Sequence, residues 1–336
     1  MKLRDYIIRR LLLAIPTIIG LTLITFVVSH IVPADPAILY LGEHATPEMI
    51  QQYRDDMGLN DPLYIQYLRF LGDFFRGDFG KSLVTRHPVI QDILTYLPAT
   101  LELSLASMTV SIILGIIFGI ICAVKKDSVI DYITRTFSLI GVSMPVYWTA
   151  LIAMGILYSR LGLVSPGRLS KNVVPPTHIT GMYILDSLLT GNLVTFIDSF
   201  NHIILPALIL GGWMMAGLVR QTRASMIDAL NQDYIRTARS KGLKENKVVY
   251  RHALRNALIP TVTLIGMSFG GMLSGAVVTE TVFYWPGLGS YMLRMTMQVD
   301  FAAVVGGVAI LGLCYTLANL ITDIVYGLID PRIRYG

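Results

Sequence analysis

The chain is short of charge. Only 15% of its 336 residues are Asp, Glu, Lys or Arg, where soluble domains carry about 25%. With a mean hydropathy of +0.60, that shortage excludes a disordered chain and argues against a water-soluble globule. Cysteine is scarce as well. Cys122 and Cys314 both fall inside apolar runs and make neither a disulfide framework nor a zinc cluster. The six His, at 30, 44, 87, 178, 202 and 252, are scattered, with no H-E-x-x-H or comparable ligand spacing. A phosphate loop is also missing. Gly77-Asp78-Phe79-Gly80-Lys81-Ser82 ends like one, but Phe75 stands where the loop needs its first Gly. Gly266-Met267-Ser268-Phe269-Gly270 matches the G-x-S-x-G of hydrolase elbows, yet it lies in the middle of an apolar run with no acid and His in sequence context. No catalytic constellation is left.

What the chain has instead is long apolar runs. Crossing roughly 30 Å of hydrocarbon takes about 20 helical residues. Six runs approach or exceed that: Leu11–Ile31, Leu101–Val124, Phe137–Leu157, Ile203–Val219, Ala257–Val278 and Phe301–Leu328. The first follows Lys2, Arg4, Arg9 and Arg10, as a signal peptide would. It is too long for an h-region of about 7–15 residues, and no small-x-small cleavage site follows it, so it reads as a retained helix. The expected fold is an all-α integral membrane protein with six transmembrane helices.

Orientation follows from the basic residues. With the N-terminus inside, the inner segments 1–10, 125–136, 220–256 and 329–336 hold 18 Lys and Arg in 67 residues. The outer segments 32–100, 158–202 and 279–300 hold 9 in 136 residues. Both termini are therefore expected in the cytoplasm. The basic balance of +5 follows the loops rather than one face, which sets aside nucleic-acid binding.

The first outer loop looks folded. Thr46-Pro47-Glu48 reads as a helix start and Gly58 as its stop; Asp61-Pro62 starts a second helix. Tyr64, Tyr67, Leu68, Leu71, Phe74 and Phe75 give that helix an apolar face, expected to pack on the membrane part rather than bind a ligand. The third outer loop carries Glu280-Thr281-Val282-Phe283-Tyr284-Trp285-Pro286-Gly287-Leu288-Gly289, whose Pro and Gly suggest a shaped turn. Its aromatics also fit an interfacial belt. Glu280 and Trp285, together with Asp78 and Glu102, are candidates for an outer gate or solute path. Glu102 is read at the first turn of the second run, where the helix dipole alone explains a carboxylate. Asp323 is expected to pair with a basic residue of an inner loop. The pairs Gly115/Gly119, Gly266/Gly270 and Gly271/Gly275 have G-x-x-x-G spacing and are expected to let helices approach closely.

The inner segment Arg220–Asn256 is far longer than a connector needs. Met226, Ile227, Leu230, Tyr234, Ile235 and Ala238 recur at helical spacing, and Gly242 reads as the stop. Arg236, Arg239, Lys241, Lys244 and Lys247 make the segment basic. It suits a helix lying on anionic headgroups or a docking element for a cytoplasmic partner. The small residues Thr237, Ala238, Ser240 and Gly242 favour docking, because they permit close insertion into a groove.

Tyr234-Ile235-Arg236-Thr237-Ala238-Arg239-Ser240-Lys241-Gly242-Leu243, followed by His252-Ala253-Leu254-Arg255-Asn256-Ala257-Leu258-Ile259-Pro260, resembles the coupling loop of ABC importer permeases, in particular the dipeptide, oligopeptide and nickel branch. The general family pattern is E-A-A, three residues and Gly; here Arg236-Thr237-Ala238 takes the first place and Gly242 the last. Arg9-Arg10, Gly77–Gly80, Pro98–Leu103, Ser143-Met144-Pro145, Glu280–Gly289 and Asp330–Arg334 extend the resemblance over nearly the whole chain.

The resemblance implies the type I ABC importer permease fold, with residues 1–96 forming the first span and a large extracellular loop, 97–328 the remaining spans with coupling loop 220–256, and 329–336 a cytoplasmic tail. It implies a multi-pass protein of a bacterial or archaeal inner membrane and half of a translocation path, not an enzyme. Its partners would be a second homologous permease (a heterodimer), two cytoplasmic ATPases that hold ATP and magnesium, and an extracellular or periplasmic solute-binding protein. Tyr234, Arg236, Thr237, Ala238 and Gly242 would contact the ATPases. The chain itself would bind no cofactor or metal. The solute would be a di- or oligopeptide, with nickel chelates and oligosaccharides as alternatives. The competing class, a self-contained secondary transporter, calls for paired charges inside the membrane. The spans carry only Glu102 and Asp323, both near their ends.

Overall fold

The apolar runs become helices, and most of the helices outrun them. In this computed structural model residues 3–31, 41, 45–56 and 58–329 are described. The side chains of 3–6, 28–31, Phe269, Ser274, Asp323 and 325–329 stand outside that description. The expectations for Asp323 and for Asp330–Arg334 therefore fall outside the described residues. Among the described residues the regular structure is helical, apart from one isolated antiparallel bridge between Lys81 and Pro88.

The helices are α1 (Leu3–Ile31), α2 (Pro47–Asp56), α3 (Leu63–Arg76), α4 (Val89–Val124), α5 (Val129–Ser143), α6 (Val146–Ala153), α7 (Tyr183–Leu189), α8 (Leu193–Leu230), α9 (Asp233–Ser240), the short α10 (Glu245–Lys247), α11 (Leu254–Val282), α12 (Leu288–Met297) and α13 (Phe301–Ile329). Two π-type stretches, Met154–Arg160 and Val248–Ala253, follow α6 and precede α11. Among the described residues five helical stretches are long and apolar enough to cross a membrane, and six if the bent pair that starts with α5 and α6 is counted as one.

The third expected span, Phe137–Leu157, is not one straight helix. α5 and its successor meet at 107°. The cause is local: Pro145 disfavours the helical conformation for the residue before it, and Met144 is extended at φ −87° and ψ 130°. α4, in contrast, runs for 36 residues, about 54 Å at 1.5 Å per residue. It starts well before the apolar run, so Glu102 sits deep inside the helix and not at its first turn.

The chain divides into two units. One comprises residues 1–10, 97–290 and 317–336; the other comprises 11–96 and 291–316. In the first unit α4, α8 and α11 pack on one another. A methyl group at Gly115 would lie 2.6 Å from Leu218 Cβ, and one at Gly119 2.5 Å from Thr222 Cβ, so α4 meets α8 at backbone range. Gly271 and Gly275 face Trp213 and Leu210 of α8. Gly266 and Gly270 are buried in the same helix, which is continuous there and has no strand–turn–helix geometry.

In the second unit α3 packs on α1. The Tyr67 hydroxyl lies 3.1 Å from that of Thr22, and Phe26 contacts the rings of Tyr67 and Phe70. Tyr67, Phe70 and Phe74 make the inward face, whereas Tyr64, Leu68 and Phe75 of the expected stripe are exposed. The turn 77–88 is tied down by two carboxylates. Asp300 accepts the Ser82 hydroxyl at 2.6 Å, and Asp92 accepts those of Thr85 at 2.6 Å and Tyr291 at 2.9 Å.

Candidate functional site

Two groups of residues in the first unit carry the candidate positions. About 21 residues of α4 separate Glu102 from Ala123, roughly 30 Å of helix, so the groups lie at opposite ends.

At the Glu102 end, α11 closes into a turn that α12 follows. Tyr284 takes a positive φ of 53°, and the Trp285 N–H returns to the Glu280 carbonyl at 2.8 Å. This folds Trp285 inward, where it is 1% exposed and its indole N–H donates to the Ala99 carbonyl at 2.8 Å. Glu280 is wholly buried. Its carboxylate accepts the Thr100 hydroxyl at 2.5 Å and the Ser290 N–H at 2.8 Å. Gly287 and Gly289 lie directly on that carboxylate, where any side chain would collide with it. Glu280 lies beyond the apolar stretch Glu245–Leu273. Burial pushes its carboxyl up to about 7, against the Thr100, Ser290 and Gly289 donors.

Glu102 meets a partner that the sequence did not advertise. Arg168 donates to its Oε2, to the Gly181 carbonyl at 2.9 Å, and stacks 3.6 Å from the centre of the Tyr183 ring. The other oxygen of Glu102 accepts the Ile184 N–H at 2.6 Å. Next to it, Asp186 holds the preceding loop. Burial works against its charge, yet the Thr180 hydroxyl and the N–H groups of Thr180, Ile179 and Gly181 outweigh this and hold its carboxyl below the usual carboxylate range.

Glu102, Glu280 and Trp285 come together, each buried in the interior of the first unit. The turn instead presents Tyr284, which is 76% exposed. Asp78 belongs to the other unit; it is exposed and its carboxylate accepts the Gly80 N–H at 3.0 Å. Ser82, the last residue of the phosphate-loop look-alike, is buried and bonded to Asp300, so this segment fits no nucleotide.

At the Ala123 end, α9 is a two-turn helix stopped by Gly242 at φ +75°. That sign of φ costs glycine little. Ile235 and Ala238 lie in a buried cluster with Ile120 and Ala123 of α4, Met226 and Ala229 of α8, and Val248, Val249, Ala253 and Ala257 leading into α11. Ala238, only 7% exposed, therefore faces this chain's own core. α9 packs on the π-type stretch Val248–Ala253 that leads into α11. Tyr234, Arg236, Thr237 and Gly242 remain exposed. The Tyr234 hydroxyl accepts from Asn256 at 3.1 Å, and Arg239 pairs with Glu245 at 2.6 Å.

A second ion pair at this end was also missed. Arg223 of α8 forks onto Asp131 of α5, at 2.7 and 2.6 Å. Ser128 caps α5 by accepting the Asp131 N–H at 3.4 Å. The spacing Ser128–Asp131 is a readable helix start, but nothing in the sequence names Arg223 as the partner. Among the described residues no group of His, Cys, Asp and Glu could hold a metal ion.

The arrangement is a scaffold of long apolar helices with one small helix exposed on its outer face. Comparison with known proteins agrees. Residues 115–335 match the family "Binding-protein-dependent transport system inner membrane component", and residues 3–105 match the N-terminal region of such membrane components. The chain is 40% identical to the dipeptide transport system permease protein DppB of Alkalihalophilus pseudofirmus over 98% of its length and 99% of the relative's. It is 41% identical to the probable D,D-dipeptide transport system permease protein DdpB of Escherichia coli, over 94% of both chains. It is 39% identical to the oligopeptide transport system permease protein AppB of Bacillus subtilis, over 98% of this chain and 99% of that one. On these matches the chain belongs to the family of binding-protein-dependent ABC importer permeases, the membrane subunits of such transport systems.

Proposed function

We propose that this chain forms half of the translocation path of an ATP-driven importer for di- and oligopeptides. In this reading six spans cross the inner membrane, with both termini in the cytoplasm and residues 32–100 forming a folded extracellular loop. A second, paralogous permease supplies the other half, two ATPases bind ATP and magnesium, and a solute-binding protein delivers the peptide.

The observation that carries the reading is α9. It packs through Ile235 and Ala238 against the ends of three long helices, while Tyr234, Arg236 and Thr237 are exposed. A partner that grips the exposed face moves the helices behind it. Only a contact that differs between two states of the partner can shift such an equilibrium, and ATP-driven closure of paired ATPases supplies one. The peptide assignment rests on the relatives, which are dipeptide and oligopeptide transport system permeases. No cluster of metal ligands among the described residues favours nickel.

The test is reconstitution of the chain with its partner permease, ATPases and binding protein in liposomes. ATP-dependent accumulation of a labelled dipeptide supports the reading. Accumulation of a nickel chelate or an oligosaccharide in its place overturns the solute class, and uptake by this chain without ATPases overturns the permease role.

A further inference from the structure

α5 and α8 are joined by a bond that fixes orientation as well as distance. The Arg223 Nε donates to Asp131 Oδ1 at 2.7 Å and its terminal nitrogen to Oδ2 at 2.6 Å. A two-point fork of this kind resists rotation of one partner about the other, which a single contact does not. Asp131 is fully buried, and its Oδ2 also takes the Asp127 N–H at 3.1 Å, so the carboxylate is held from the α4–α5 connection too.

The fork has a definite position. Arg223 lies one turn of α8 before Met226, which shares a buried cluster with Ile235 and Ala238 of α9. Asp131 lies in the first turn of α5, whose far end is the 107° break at Met144-Pro145. The path from the exposed helix α9 to that break therefore runs through one cluster, one turn of α8 and one ion pair. We propose that Arg223 and Asp131 are positioning residues that make α9, the end of α8 and α5 a single moving body, so that displacement of α9 is delivered to the break between α5 and α6. The proposal rests on the reading of α9 as the ATPase-docking helix.

The complete importer in liposomes tests it, with dipeptide uptake and ATP hydrolysis measured together. Arg223→Lys keeps the cation but loses the fork; Asp131→Asn keeps the shape but loses the charge. In assembled complexes each should lower peptide taken up per ATP by about fivefold or more, the ordinary size of a coupling effect, while basal hydrolysis stays. The double variant should be no worse than the poorer single one, because both remove the same bond. Unchanged uptake per ATP in an assembled Arg223→Lys complex overturns the proposal.

A second measurement does not depend on how the variants fold. With both native cysteines replaced, spin labels go on exposed positions Ile133 of α5 and Asp233 of α9, the latter at the start of the helix and outside the docking residues. Their separation should stay constant between the ATP-free and vanadate-trapped complex, to within the about 2 Å of an ordinary interface shift. A larger change shows that α5 and α9 move apart and overturns the proposal. A labelled importer that shows no ATP-driven uptake at all fails the docking reading instead.

Discussion

The Thr100 hydroxyl joins two segments that meet nowhere in sequence: it donates to Glu280 at 2.5 Å and accepts the Leu288 N–H at 2.7 Å. One oxygen therefore satisfies a buried acid and the first N–H of α12 together. Thr100→Val keeps the shape and leaves both unpaired, at a cost of about 1–3 kcal/mol. Thr100→Ser should be close to neutral. The thermal midpoint of the purified chain in detergent distinguishes the two.

The Glu280 carboxyl, raised to about 7, gives stability a pH dependence of known sign. The folded protein holds the proton that the unfolded chain has lost above about 4.3. The contribution of this group is thus complete below about 4.3 and is lost as pH rises to about 7. Glu280→Gln, neutral at every pH, should remove that part of the slope. A wild-type melting temperature that rises with pH between 5 and 7, with no effect of the Gln variant on the slope, would contradict this assignment.

Ala238 and Thr237 are neighbours with opposite fates. Ala238→Asp puts an unpaired charge into the cluster around Met226 and should cost about 3 kcal/mol or more, seen as loss of folded protein. Thr237→Asp and Arg236→Glu lie on the exposed face and should leave melting unchanged. Their effect should appear only when the ATPases are added, as weaker complex formation in pull-down.

Arg168 neutralises Glu102 in the interior. Arg168→Met should cost about 3–5 kcal/mol, the usual penalty for stranding a buried charge, and adding Glu102→Gln should recover part of it. Limited proteolysis of the loop 163–182 reads the effect locally, since Arg168 also bonds Gly181. Equal cleavage in the single and double variants would refute the pairing.

Helical periodicity and run length made the long helices legible, because a membrane helix needs only local apolar residues. Gly242 was legible as a stop for the same local reason. What stayed hidden were partners remote in sequence. Glu102 looked like a lone acid at a helix start because Arg168 lies 66 residues on. Trp285 looked exposed because nothing nearby announces a bond to the Ala99 carbonyl. Ala238 looked available for docking because a small residue reads alike on an outer face and against a core. The break at Met144-Pro145 was in the sequence as a proline, yet the apolar run around it outweighed that signal.

The second unit is built from residues 11–96 together with 291–316, and this sets an order for biosynthesis. Asp92 waits 199 residues for the Tyr291 hydroxyl, and the Ser82 hydroxyl waits 218 residues for Asp300. At about 5–20 residues per second, translation leaves the turn 77–88 without its ties for roughly 10–40 s. During that interval the first hundred residues have left the ribosome but cannot be finished. A nascent chain truncated before residue 291 should therefore expose this turn to protease, however completely its earlier helices have been inserted.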